Sequence, residues 1–252
     1  MIPRSHAGLA DGANRARSVR PPHWRDREGT WDHRIFKEVV EDDEYGLPRS
    51  FDPLDVVIDV GAHLGSFSWA CLDRGVGRIF AYEVDPRNFR FLEWNLCTRD
   101  RSVSMRNVAV WRSDLAHDAL FYTPDPQADN NTGVVRVHNH SGHPVPGVMS
   151  LDSAIREAAS TSANGRIRLA KLDVEGSEYP ILYTATKLGL IDELVGEYHA
   201  QSAAVDGYAG LPPFTMENLG SHLQRRGFAV SWTHKGHPDP RFGIFRARRL
   251  PT

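Results

Sequence analysis

Short β-branched runs alternating with longer stretches of helical period predict an α/β fold with a mostly parallel sheet, covered on both faces. Two further observations agree. Strand candidates at 56–60, 78–84, 103–110, 167–173 and 194–198 are separated by enough chain for right-handed crossovers. The last two candidates, 228–232 and 243–248, are joined by THKGHPDPRF, too short for a crossover helix. They therefore form a C-terminal antiparallel hairpin that completes a seven-stranded sheet.

The 252 residues carry 30 Lys+Arg against 32 Asp+Glu, a formal net charge of -2. That balance lacks the basic field of a nucleic-acid binder, so nucleic acid is not an expected partner. With 40% hydrophobic and 25% charged residues, the composition is that of a chain with a packed core. No run approaches the roughly 18 apolar residues of a membrane span, and the first residues hold no apolar signal core, so the expectation is a cytoplasmic protein with no membrane partner. Cys71 and Cys97 fall in apolar-periodic segments and read as reduced packing residues.

Along the chain, residues 1–30 contain Arg4, Arg15, Arg17, Arg20, Arg25 and Arg27 with few large aliphatic side chains and the pair Pro21-Pro22. They read as a mobile arginine-rich arm in front of a single domain, 31–252. After Trp31, the positions Ile35, Phe36, Val39 and Val40 recur at helical spacing until Gly46 and Pro48 end the segment. Beyond the second strand, Asp85 caps a helix, Pro86 supplies its first residue, and Phe89, Leu92 and Leu96 line one face. The Pro-, Asn- and His-rich stretch from about 118 to 149 is an insertion whose runs at 119–122 and 134–137 read as a β-hairpin. Its His138, His140 and His143, with His117, read as loop and not as a zinc site.

Three segments carry chemistry. In VVIDVGAHLGSFS (56–68) a buried strand ends at Asp59, and Gly61 and Gly65 bracket a turn into a helix, where absent Cβ atoms and free N–H groups admit a small polar ligand. In IFAYEVDPRN (79–88), Glu83 lies 24 residues beyond Asp59, the place of a carboxylate that holds ribose hydroxyls. The glycine spacing is G-x-x-x-G, without the middle glycine that lets a backbone meet a dinucleotide pyrophosphate. It favours S-adenosylmethionine, with Asp59 as the carboxylate for the cofactor's ammonium group, directly or through water. In LAKLDVEGSEYPIL (169–182) a strand ends in Asp173 and Glu175, Gly176 turns the chain, and Ser177 is the expected helix cap.

These segments, with SLDSAI (150–155) before the third and EYHA (197–200) after it, closely resemble the FkbM-type methyltransferases over about residues 31–200. The resemblance implies a class I, Rossmann-like domain that binds S-adenosylmethionine and methylates a hydroxyl of a small-molecule acceptor, a secondary metabolite or sugar. By motif position Asp59, Gly61, His63 and Gly65 match the cofactor loop, with His63 where Asn is common. Glu83 matches the ribose carboxylate, and Asp173, Glu175 and Gly176 match the DVEG segment.

Methyl transfer needs the acceptor oxygen held in line with methyl and sulfur, and a group to take the hydroxyl proton. The catalytic candidates are His199, Asp173 and Glu175, with His199 the group whose ordinary pKa suits neutral pH. No metal is expected; Asp173, Glu175 and Glu197 are the alternative set that would hold Mg²⁺ on two neighbouring acceptor oxygens. The Trp31–Tyr45 segment and the insertion are the expected acceptor-pocket walls, through Trp31, Phe36, Tyr45, Tyr122 or the Asn130-Asn131 pair. N-methyl transfer, nicotinamide-dependent oxidoreduction and a catalytically inactive binding module stay open as alternatives on the same fold.

Overall fold

The computed structural model describes residues 20–99, 101–114, 120–124, 130–133, 135–138, 141–200, 210–233, 239 and 241–251. Its central sheet has seven strands: β1 (Val56–Val60), β2 (Arg78–Glu83), β3 (Val103–Asn107), β4 (Leu169–Leu172), β5 (Glu193–His199), β6 (Phe228–Thr233) and β7 (Phe242–Arg249). Their order in space is β6-β7-β5-β4-β1-β2-β3. The first five are parallel to one another, and β7 runs antiparallel to both β5 and β6. Strand order reverses between β1 and β4, which opens a crevice at their C-terminal ends.

Side-chain alternation explains why the sheet is covered twice. Val56, Ile58 and Val60 of β1 enter one apolar core, with α4 (Leu151–Thr161), α5 (Glu178–Thr184) and α6 (Met216–Arg225). Val57 enters the other, with α2 (Ser66–Asp73) and α3 (Pro86–Leu96). The cap of α3 is as expected: Asp85 accepts the Arg87 amide at 2.8 Å, and Leu92 and Leu96 are fully buried. Ser150 and Thr215 cap α4 and α6 in the same way. No helix among the described residues is long and apolar enough to cross a membrane.

Several sequence expectations are corrected. The run 103–110 is two strands, because the Asn107 side chain donates to the carbonyls of Glu83 and Val84 and ends β3 there. Ala109–Trp111 then pairs parallel with Val148–Ser150 in a separate small sheet. The inserted hairpin has a third strand: Phe121–Pro124 pairs antiparallel with both Val135–His138 and His143–Pro144. Ala119, Val134, His117 and His140 lie outside the described residues. The helix after Trp31 is α1 (Asp32–Phe36), which widens into a π turn over Lys37–Glu41. Cys97 is exposed, while Cys71 is buried as expected.

Of the expected arm, residues 1–19 lie outside the described residues, but 20–30 pack on the domain. Trp24 is buried against Phe36 and Trp69. The Arg25 guanidinium stacks 3.3 Å from the Trp94 ring centroid. Arg27 forms an ion pair at 2.8 Å with Asp32, whose side chain has no exposed surface. Three aromatics, Phe36, Trp69 and Trp94, and a buried acid therefore hold a segment whose arginine content alone suggested solvation.

Candidate active site

An open cavity with roughly 1090 Å³ of empty space, its mouth included, lies at the C-terminal ends of β1, β2 and β4. Gly61, Ala62 and His63 form its floor, with Glu83 and Val108 on one side and Lys171, Asp173, Glu175 and Glu197 on the other. Ile35, Val39 and Tyr45 from the α1 region, and Asn131, Gly133, Val135 and Val137 from the insertion, close over it. Trp31, Phe36, Tyr122 and Asn130 do not line it; Trp31 is exposed and Phe36 is core.

The β1–α2 loop has consumed its own amides. Gly61 and Ala62 donate to the Tyr82 carbonyl at 3.0 and 2.9 Å, His63 donates to Glu83 at 2.8 Å, and Gly65 donates to the Ala62 carbonyl at 2.8 Å. The expectation of free N–H groups for a ligand is therefore wrong at these four positions. The glycines serve packing as well as turn geometry. Gly61 has φ +76, and a Cβ there would lie 1.9 Å from the Asp173 carbonyl oxygen; at Gly65, with φ +94, a Cβ would meet Leu92.

Glu83 is 4% exposed and accepts the amides of His63 and Asp85, both at 2.8 Å. Burial pushes its pKa up to about 7 against the pull of those amides. Asp59 is fully buried behind the cavity, where Ser68 donates to it at 2.7 Å and Lys171 stands 3.5 Å away. It does not line the cavity, and Lys171 is the cation beside it. The Lys171 ammonium donates to the Gly61 carbonyl at 2.6 Å and also lies 3.5 Å from Asp173. Burial opposes its charge, but Asp173 and Asp59 more than compensate and raise its pKa. Burial likewise works against the Asp173 carboxylate, yet Lys171, His199 and the Tyr45 hydroxyl, which donates at 2.9 Å, hold its pKa below the ordinary value.

His199 sits at the end of β5 with 6% of its surface exposed, behind the residues that line the cavity. Its Nδ1 lies 3.2 Å from Glu178, and its Nε2 lies 3.2 Å from Glu175 and 3.4 Å from Glu197. Burial disfavours the imidazolium, but these carboxylates raise its pKa well above the usual histidine value. The ordinary histidine pKa expected from sequence is therefore corrected upward. Burial lifts Glu175 to about 8, with His199 pulling the other way. Glu175 also holds φ +55, an uncommon backbone state for a non-glycine residue, next to Gly176 at φ +100.

Two site residues escaped sequence reasoning. Glu178 holds the DVEG turn by accepting the amides of Val174 and Gly176 at 2.8 and 2.9 Å, while Ser177, at the helix N-cap, makes no side-chain cap bond. The signal for Glu178 was an acid in the first turn of a helix. Lys171 is a charged side chain inside an otherwise apolar buried strand, which is itself a sign of a specific role.

Residues 59–223 match the model of the methyltransferase FkbM domain. The chain belongs to the FkbM methyltransferase family. Among solved structures, it is similar to methyltransferase FkbM from Methylobacillus flagellatus KT, at 16% identity and TM-score 0.46, over 80% of this chain and 45% of that one. It is also similar to precorrin-6y C5,15-methyltransferase from Geobacter metallireducens GS-15 (15%, TM-score 0.42, 89% and 93%) and to the fibrillarin pre-rRNA processing protein of Methanococcus jannaschii (12%, 0.44, 81% and 71%). A comparison with curated proteins finds no match.

FkbM-type methyltransferases use S-adenosylmethionine, and the donor set here fits it. The cofactor has no phosphate, so a loop whose amides are internally bonded loses nothing by binding it. A dinucleotide would need those amides for its pyrophosphate. Glu83, its two carboxylate oxygens each holding one amide, keeps further lone pairs for ribose hydroxyls.

Proposed function

We propose that this FkbM-type methyltransferase transfers a methyl group to a hydroxyl of a small molecule, a secondary metabolite or sugar. The observation that supports this is the carboxylate wall of Asp173, Glu175 and Glu197 at the end of the cavity away from Glu83 and Val108. Such a wall accepts hydrogen bonds from a polyhydroxylated acceptor and takes up the proton released when one oxygen is alkylated.

S-adenosylmethionine supplies an electrophilic methyl group on a sulfonium that leaves as a neutral thioether. The chain supplies the rest. Glu83 holds the ribose and so sets where the methyl group stands. Val84, Val108, Val135 and Val137 give the cavity apolar sides that exclude water. Glu197 is the most open carboxylate of the wall, with its side chain 33% exposed against 15% for Glu175, and it takes the hydroxyl proton. Holding oxygen and methyl in line is worth about 7–11 kcal/mol when geometry is good, more than the proton transfer itself.

The test is incubation with methyl-labelled S-adenosylmethionine and a panel of sugars and polyols beside the matching amines. Label in hydroxyl-bearing acceptors, lost in Glu197→Gln while cofactor affinity holds, supports the reading. Label only in the amines replaces it with N-methyl transfer.

A further inference from the structure

We infer that Asp173, Glu175 and His199 form a binding site for a divalent transition-metal ion at the acceptor end of the cavity. One ligand atom from each lies within 4.8 Å of the others. Ligands about 2.1 Å from an ion stand about 4.2 Å apart when opposite and about 3.4 Å apart at a tetrahedral angle, so the three close on an ion by drawing together at most about 1.4 Å. A group of carboxylates alone would not be a site. His199 sets this one apart.

The imidazole is aimed from behind. Its Nδ1 faces Oε1 of Glu178 at 3.2 Å, and Glu178 has no exposed side-chain surface. The amides of Val174 and Gly176 bind the two Glu178 oxygens and fix the carboxylate in place. A carboxylate on one ring nitrogen is the arrangement that fixes tautomer and direction in metal-binding histidines, leaving the other nitrogen for the ion. That other nitrogen, Nε2, is where Glu175 and Glu197 converge at 3.2 and 3.4 Å.

One N–H cannot serve two carboxylates equally well. Asp173 lies beside Lys171, and Glu175, Glu178 and Glu197 surround His199, so the site is rich in carboxylate oxygens. A divalent ion takes the place of the Nε2 proton, which leaves to solvent. Tyr45 and Lys171 approach Oδ2 of Asp173, which leaves Oδ1 for the ion. One imidazole with two carboxylates suits Mn²⁺, Fe²⁺ or Zn²⁺ better than Mg²⁺, which prefers oxygen and water throughout. With His199 and Glu175 on the ion, Glu197 stays free as the proton acceptor, and an acceptor with two neighbouring oxygens can bind the metal and be methylated on one. This last point rests on the hydroxyl-methylation reading; the ion site itself does not.

The experiment titrates the full chain, freed of metal by a chelator, with Mn²⁺ alone, followed by calorimetry and by the loss of the free-ion paramagnetic resonance signal. The expected result is one equivalent bound at micromolar affinity, weakened at least about tenfold in Glu175→Gln and in His199→Gln. If His199→Gln does not fold, Asp173→Asn takes its place. Absence of stoichiometric binding up to millimolar Mn²⁺, or equal affinity in wild type and Glu175→Gln, overturns the site. A parallel titration with S-adenosylmethionine separates the failures: cofactor binding without manganese binding removes only the metal site, and loss of cofactor binding removes the methyl-transfer reading.

Discussion

Glu178 Oε1 lies 3.2 Å from Nδ1 of His199, so the first turn of α5 and the last residue of β5 meet through a carboxylate with no exposed surface. The same carboxylate holds the Val174 and Gly176 amides, so one side chain ties the DVEG turn to the neighbouring strand. Replacing it with Ala leaves Nδ1 of His199 and two amides without their acceptor. Glu178→Ala is expected to cost about 3–5 kcal/mol in denaturant unfolding, the scale for breaking a buried ion pair from one side. A loss under about 1 kcal/mol would show that the turn is held by something else.

Gly61 makes a sharper steric test. A Cβ there stands 1.9 Å from the Asp173 carbonyl oxygen at φ +76, so Gly61→Ala combines a left-handed strain of about 1–2 kcal/mol with overpacking of about 1–3 kcal/mol. Gly165 has φ +68 with nothing within 4 Å, and Gly165→Ala carries the first cost alone. The gap between the two variants in melting temperature isolates the packing cost. Equal shifts would contradict the close approach of β1 and β4 at the cavity floor.

Glu83 governs donor binding if it holds the ribose. Glu83→Ala should raise the dissociation constant for S-adenosylmethionine about tenfold to a hundredfold by calorimetry, since bonds to charged groups are worth about 1.5–3 kcal/mol. Nicotinamide dinucleotide should not bind the wild type, because the loop amides are engaged. An unchanged constant in the variant would move the ribose elsewhere.

His63 predicts the acid limb of stability. Burial depresses its pKa to about 4, with Asp32 opposing. Between about pH 4 and 6.5 the unfolded chain binds a proton that the folded chain refuses, so stability falls as pH drops through that window and is intact above it. The loss is at most about 3 kcal/mol by pH 4, at about 1.4 kcal/mol per unit. In His63→Gln this part of the slope should vanish from unfolding curves measured across the window; an identical slope in the variant would place the effect on other groups.

Much of the fold was legible because its signals are local. Alternating β-branched runs, the Asp85-Pro86 cap and the short β6–β7 link each act within a few residues, and the folded sheet carries all three. The G-x-x-x-G spacing and Glu83 marked the cavity from sequence for the same reason: a strand, a tight turn and a helix start place them at one sheet edge. Residues 20–30 were misread because their anchors, Phe36, Trp69, Trp94 and Asp32, are contacts that composition does not record.

The sequence by itself determined the strand and helix order, the crevice and the family, since periodicity, capping and motif spacing depend on neighbours along the chain. Only the tertiary structure decided the electrostatics. Lys171 stands beside buried Asp59 as its cation, and Glu175, Glu178 and Glu197 surround the His199 imidazole and raise its pKa. A pKa follows burial and charges within a few ångströms, and the groups that set these lie on β1, β4, α5 and β5, which meet only when the sheet closes.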